Sequence, residues 1–303
     1  MTEMDGSENR RPRRGVVIFL SLLPLWLVIS TGIGLWLWNR GGENQPEQAK
    51  FKTPISAEGL ESDLRKIVEI AGPRHLGSDR GHIGLKRVSA MIRSSLGPEN
   101  AGYALEMHPG PTTPEGTWPL VLARLPGEGK PLAVVAGYDS REGSPGVEAN
   151  GTGLASVLAI AQAMAGETLG RPVTFAFVPH AYDLDAPVRE VGRQLMDQLG
   201  DVELIIVVEA TGTAADLIVS ARNTALLESF ENRVRIAGAE TICLGEDHDP
   251  ASLLEELGAP AVRLSTRAMV LPSEQDDVLP GPGVHAQATA HLATLVRILA
   301  GAR

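Results

Sequence analysis

The chain has 303 residues and a formal net charge of -10. That balance excludes nucleic acid as a partner, since phosphate backbones are held by an excess of Lys and Arg. Cys243 is the single cysteine, so no intrachain disulfide exists, and within TICLG it is expected to be a small buried side chain.

Residues 15–38 (GVVIFLSLLPLWLVISTGIGLWLW) run for 24 positions without a charge. At a rise of about 1.5 Å per residue this crosses a hydrocarbon layer of about 30 Å. Arg10, Arg11, Arg13 and Arg14 precede the stretch, and only Arg40 follows closely. The positive-inside rule therefore puts the basic tail 1–14 in the cytoplasm and the rest of the chain outside. A cleavable leader has an apolar region of only about 7–15 residues. A single-pass signal anchor in the cytoplasmic membrane is expected, with a periplasmic or extracellular C-terminal part. Residues 39–54 read as a polar linker and 55–303 as one ectodomain, a length normal for an α/β fold.

In the ectodomain, Leu60, Leu64, Ile67 and Val68 recur at helical spacing over 56–71, and Gly72-Pro73 stops that helix. The pattern repeats over 82–96 with Leu85, Val88 and Ile92. Segments 103–107 and 118–124 read as an antiparallel edge across a Pro/Gly-rich turn. Alternating units follow: strand 132–136 with helix 153–165, then strand 173–178 with helix 187–199. Strands 202–208 and 217–220 precede a helix near 226–235. Strand 241–244 leads to helix 251–257, and strand 261–264 leads to a last helix of 284–300. This alternation predicts an α/β fold, with a mostly parallel central sheet and helices on both faces. Ligands of such sheets bind at the carboxyl ends of the strands.

Those ends carry Asp139; His180 with Asp183 and Asp185; Glu209; and Asp247 with His248 and Asp249. One histidine and several carboxylates converging at a sheet edge could hold one zinc or two. Polar residues also gather in loops for solubility alone, so the strand ends leave both readings open. Ser144 and Thr152 lie near this edge without a paired base, and no Gly-x-Ser-x-Gly elbow, phosphate loop or His-Glu-x-x-His is present.

Six segments carry a resemblance: the turn and helix AGPRHLGSDRGHIGLKRVSAMIRSSL, the strand, loop and helix PLAVVAGYDSREGSPGVEANGTGLASVLAIAQAMA, then VTFAFVPHAY, VELIIVVEATG, EDHDPASLLEELGAPAVRL and LPSEQDDVL. In order and spacing they resemble the zinc-dependent aminopeptidase and glutaminyl cyclase family, from about Leu60 to the C-terminus. The resemblance implies the zinc-exopeptidase fold, a three-layer sandwich of the phosphorylase/hydrolase-like type. It also implies where an intact member carries its chemistry. The family's His-x-Asp ligand histidine falls on Gly137, its bridging aspartate on Ala149, and its general-base glutamate on Ala181. A ligand glutamate falls on Tyr182, a ligand aspartate on Glu209 and a ligand histidine on Ser273, while Asn150, Asp247, His248 and Asp276 are kept.

Gly137, Ala149 and Ala181 have no side-chain donor atom, and Tyr182 and Ser273 are poor zinc ligands beside carboxylate and imidazole. Glu209 alone keeps ligand chemistry. The expectation is therefore a membrane-anchored, peptidase-like domain without metal, cofactor or hydrolysis, which binds a peptide or acts as a scaffold for a protein partner. The alternative is an active zinc aminopeptidase with a displaced ligand set drawn from Asp139, Glu148, His180, Glu209 and His248. A second alternative is a purely structural subunit of a membrane complex. Without zinc, Asp139 is expected to brace its loop, because its family counterpart orients a histidine that is absent here. His180 is expected to be a loop histidine with a hydrogen-bond partner, Glu209 a hydrogen-bonded strand-end acid, and Asp247 and His248 a helix cap or local pair.

Overall fold

The structure, a computed structural model, describes residues 52–183, 186–236, 239–241, 250–268 and 276–301, with 26 and 29–31 ahead of them. The chain divides into two compact units, Met1–Ala49 and Lys50–Arg303. Of the first, only Trp26 and 29–31 are described, and they are helical. The apolar stretch 15–38 otherwise lies outside the described residues, as does the basic tail. No helix among the described residues is long and apolar enough to cross a membrane.

Among the described residues the second unit contains eight strands: β1 (Glu106–Pro109), β2 (Pro119–Leu125), β3 (Leu132–Gly137), β4 (Val173–Val178), β5 (Leu204–Val208), β6 (Leu217–Ser220), β7 (Ala239–Thr241) and β8 (Ala261–Ser265). Its helices are α1 (Ala57–Arg65), continued by a π-helical turn (Lys66–Ala71), α2 (Asp79–Leu96), α3 (Thr152–Met164), α4 (Val188–Leu199), α5 (Thr224–Ile236), α6 (Pro250–Glu256) and α7 (Pro282–Leu299). The strands form one sheet in the order β1-β2-β4-β3-β5-β8-β6-β7. β4, β3, β5 and β8 run parallel. β2 lies antiparallel on β4, with β1 antiparallel on β2 as the edge. On the other side β6 is antiparallel to β8, and β7 is parallel to β6. Strand alternation alone does not give the direction of β6. The connection 209–216 holds no helix, and a parallel return needs a longer crossover.

Every position of β3, β4, β5 and β8 is buried, which is why these segments read as unbroken apolar runs. Alternate residues point to opposite faces. Val134, Ala136, Phe175, Phe177, Ile206 and Val208 pack in one core with α1, α2, α3 and α7. Ala133, Val135, Ala176, Val178, Ile205 and Val207 pack in a second core with α4 and α6. From β3 the chain moves to β4 on one side and then to β5 on the other. The topological switch point, where ligands bind in open α/β sheets, therefore lies between the carboxyl ends of β3 and β5.

Candidate functional site

The loops at that edge are fixed by a guanidinium and by helix caps. Arg74 is fully buried, and its guanidinium donates to backbone carbonyl groups. Its Nε donates to Tyr138 at 3.0 Å, its Nη1 to Gly72 and Pro145 at 2.9 Å each, and its Nη2 to Gly146 at 3.1 Å. Burial lowers its pKa to about 10, and the charges of Asp139 and Asp276 oppose that shift. Four residues on, Ser78 caps α2 by accepting the Gly81 N–H at 3.2 Å. Together these two residues account for the Pro-Arg-x-x-Gly-Ser turn. The loop after β3 re-enters a helix through Asn150, held at φ 98°. A Cβ on Gly153 would lie 2.0 Å from the Glu209 carbonyl oxygen, so only glycine lets the start of α3 rest on the end of β5.

Among the described residues five acids gather at this edge, and each meets donors of the protein itself. The Oδ2 of Asp139 accepts the backbone N–H groups of Ala181, Tyr182 and Asp183 at 2.9, 2.8 and 2.9 Å. Its Oδ1 accepts the Asn150 amide at 3.1 Å. Burial raises the Asp139 pKa to about 6, with the three amides opposing the shift and Asp183 adding to it. Glu148 accepts the Thr213 hydroxyl at 3.0 Å and the Gly212 N–H at 3.3 Å, and burial raises its pKa. Asp183 accepts the Leu76 N–H at 2.7 Å. Asp276 spans two amides, accepting Glu148 N–H at 2.7 Å and Ala149 N–H at 2.9 Å. Glu209 is paired with Arg263 through both Nε and Nη2, and both side chains are 6% exposed.

This geometry does not fit the metal that the fold family implies. A Cβ on Gly137 would come within 2.8 Å of the Ala181 Cβ and 3.1 Å of the Asn150 Nδ2, so the place of the first ligand side chain is filled. The Asp139 carboxylate is turned to the 181–183 amides instead of to an imidazole. Glu209, the one surviving ligand type, already faces a guanidinium. Among the described residues, no group of three or more His, Cys, Asp and Glu is arranged to hold a metal. Asp185, Cys243, Asp247, His248, Asp249 and Ser273 lie outside the described residues.

His180 departs from its expectation. Among the described residues neither ring nitrogen has a hydrogen-bond partner, although the residue is 1% exposed. Its ring packs edge-on against Trp118 at a centroid distance of 5.8 Å. With Gly137, Ala181, Val135, Leu195 and Leu254 it lines a cavity of about 30 Å³ between the sheet and helices α4 and α6. Burial among these apolar groups lowers its pKa to about 4, against the charge of Asp183. The Asn150 Oδ1 also has no partner.

Sequence reasoning missed Arg263, although an arginine inside the apolar strand AVRLS signals a buried partner. It also missed a buried hydroxyl network in which Ser156 Oγ lies 3.1 Å from His285 Nε2, 2.9 Å from Thr211 Oγ1 and 2.7 Å from Thr289 Oγ1. The only signal for it was small polar residues at helical spacing on apolar faces. Ser156 and His285 are both essentially unexposed, so the pair ties α3 to α7 and is closed to solvent.

Residues 121–179 match the peptidase family M28, and no curated protein matches the chain. Among solved structures, LapA aminopeptidase of Legionella pneumophila aligns at 14% identity and TM-score 0.61, covering 82% of this chain and 71% of that one. BSAP, a zinc aminopeptidase from Bacillus subtilis, aligns at 12% identity and TM-score 0.62, over 82% and 96% of the two chains. An Acidobacteriales bacterium glutaminyl cyclase aligns at 15% identity and TM-score 0.61, again over 82% and 96%. At such identities the structural likeness is one of fold. The matched segment runs from β2 to the end of β4 and contains the loop of Asp139 and Asn150. The Lys50–Arg303 unit is thus similar in fold to zinc aminopeptidases and a glutaminyl cyclase, and its segment 121–179 is similar to the peptidase family M28.

Proposed function

We propose that this chain is a membrane-anchored peptidase-like protein that does not hydrolyse peptides through a metal-bound water. It acts instead by binding a peptide or by scaffolding a protein partner outside the cytoplasmic membrane. One observation carries the reading: the acids at the strand ends are engaged by backbone amides, a hydroxyl and a guanidinium, and Ala181 fills the space of the missing ligand at Gly137. Hydrolysis in this fold family depends on water activated by metal, and a catalytic zinc normally needs three protein ligands. The membrane anchor rests on the uncharged stretch 15–38 and on the arginines before it. The test is zinc content and aminoacyl-anilide hydrolysis of the full chain purified in detergent. No bound zinc and no chelator-sensitive hydrolysis are expected; hydrolysis abolished by a chelator would overturn the reading.

A second reading, an active enzyme with a displaced ligand set, is favoured by one feature, the two unpartnered ring nitrogens of buried His180. It requires one zinc per chain that is lost on His180→Ala or Glu148→Ala. If zinc is present and survives both substitutions, that ligand set is wrong.

A further inference from the structure

We infer that the Arg263 guanidinium has taken the structural place of the metal ion, as the resident cation that neutralises the strand-end acid and ties β5 to the chain after β8. The inference rests on the reading of the site as metal-free and adds what holds it together.

Glu209 follows β5 directly, at the switch point where the family's ligand aspartate stands. The acid there is only 4% exposed. Burial of an unpaired carboxylate is costly, so the position needs a positive charge. Arg263 supplies it from the neighbouring strand. It pairs in register with Val207, two residues before Glu209, so the two side chains stand on the same face of the sheet. Nε and Nη2 face the Glu209 Oε2, and Nη1 donates to the Ala268 carbonyl. One guanidinium thus joins an acid at the end of β5 to the backbone beyond β8, a link between strand-end segments of the kind a shared metal makes. The planar fork is suited to this double duty, whereas a lysine presents a single point charge. The backbone around it is tied in parallel, by Glu209 N–H to the Leu264 carbonyl at 3.0 Å and Thr266 N–H to the Ala210 carbonyl at 2.7 Å.

The test is a double-mutant cycle on the full chain in detergent, read as thermal midpoints with added zinc and with added chelator. Arg263→Met removes the guanidinium that faces buried Glu209, and the midpoint is expected to fall by about 10 °C. Glu209→Gln strands the guanidinium and should cause a loss of similar size. The double variant Glu209→Gln/Arg263→Met removes both charges and is expected to recover most of the loss, so that it folds even where a single variant does not. The wild-type midpoint is expected to move with neither zinc nor chelator. Additive losses in the double variant, or a double variant that does not fold, overturn the inference while leaving the metal-free reading standing. Stoichiometric zinc that raises the wild-type midpoint overturns both.

Discussion

Asp139 offers the sharpest check on how the carboxyl edge is built. Asp139→Ala strands three backbone N–H groups and the Asn150 amide that now meet the carboxylate. At about 1 kcal/mol for each lost partner, the domain should lose roughly 4 kcal/mol. The dependence on pH is more specific. The Asp139 pKa in the fold is about 6, raised from an ordinary 3.8. A raised carboxyl pKa means that the fold takes up the proton more readily than the unfolded chain. The stability this confers is complete below pH 3.8 and is lost as pH rises through 6. Between pH 7.5 and pH 4.5 that linkage amounts to about 2 kcal/mol, so the deficit of Asp139→Ala should be larger at the lower pH by about this amount.

The assay is the thermal midpoint of wild type and variant side by side at several pH values. A term of about 2 kcal/mol is worth roughly 4–8 °C for a domain of this size. Other groups titrate in the same range, but they titrate in both proteins and cancel in the difference. A gap between the two midpoints that stays constant from pH 4.5 to 7.5 would refute the reasoning. It would mean that Asp139 ionises in the fold as it does in water.

Two further outcomes follow from the same geometry. His180 and His285 have pKa values lowered to about 4 by burial, so each contributes stability that is present above pH 6.5 and lost as pH falls towards 4. The full span is about 3 kcal/mol for each histidine, and His180→Phe should flatten the acid limb of a midpoint-against-pH curve. At Gly137 an added Cβ would meet the Ala181 Cβ at 2.8 Å, so Gly137→Ala should cost about 1–3 kcal/mol by overpacking. Ala181→Gly in the same chain should recover much of that loss in urea titrations, and an independent, additive effect would contradict the filled-cradle geometry.

The frame of this domain was legible because its signals are local. Leu132, Val134 and Val135 are buried in a strand covered on both faces, and such a strand shows itself as an apolar run. The breaks at Gly72 and at the 143–151 loop are likewise written in glycine and proline. What the sequence withheld lies across the chain. Arg263 and Glu209 are 54 residues apart, and Asp276 meets the Ala149 amide from 127 residues away. A lone arginine in an apolar strand announces a partner without naming it. The direction of β6 was hidden for a related reason, since it depends on which strand the chain returns to. His180 shows the reverse difficulty: a histidine beside several acids suggests a bonded ring, yet the ring turns to Trp118 and an apolar cavity.

Which acids persist at this edge can be understood from what each would leave behind. Asp139 and Asp276 accept amides of loops that must close whether or not a metal is bound. Removing either would strand buried donors at about 1–3 kcal/mol each. A side chain whose only task is to meet a metal has no such duty, and without the metal its space is better filled by a neighbour. On the proposed metal-free reading Gly137 and Ala181 occupy that case, with the alanine methyl where a side chain on Gly137 would begin. Glu209 differs from both in facing a guanidinium. A buried acid of that kind stands only with a cation beside it, and on the strand next to β5 the residue in reach is Arg263.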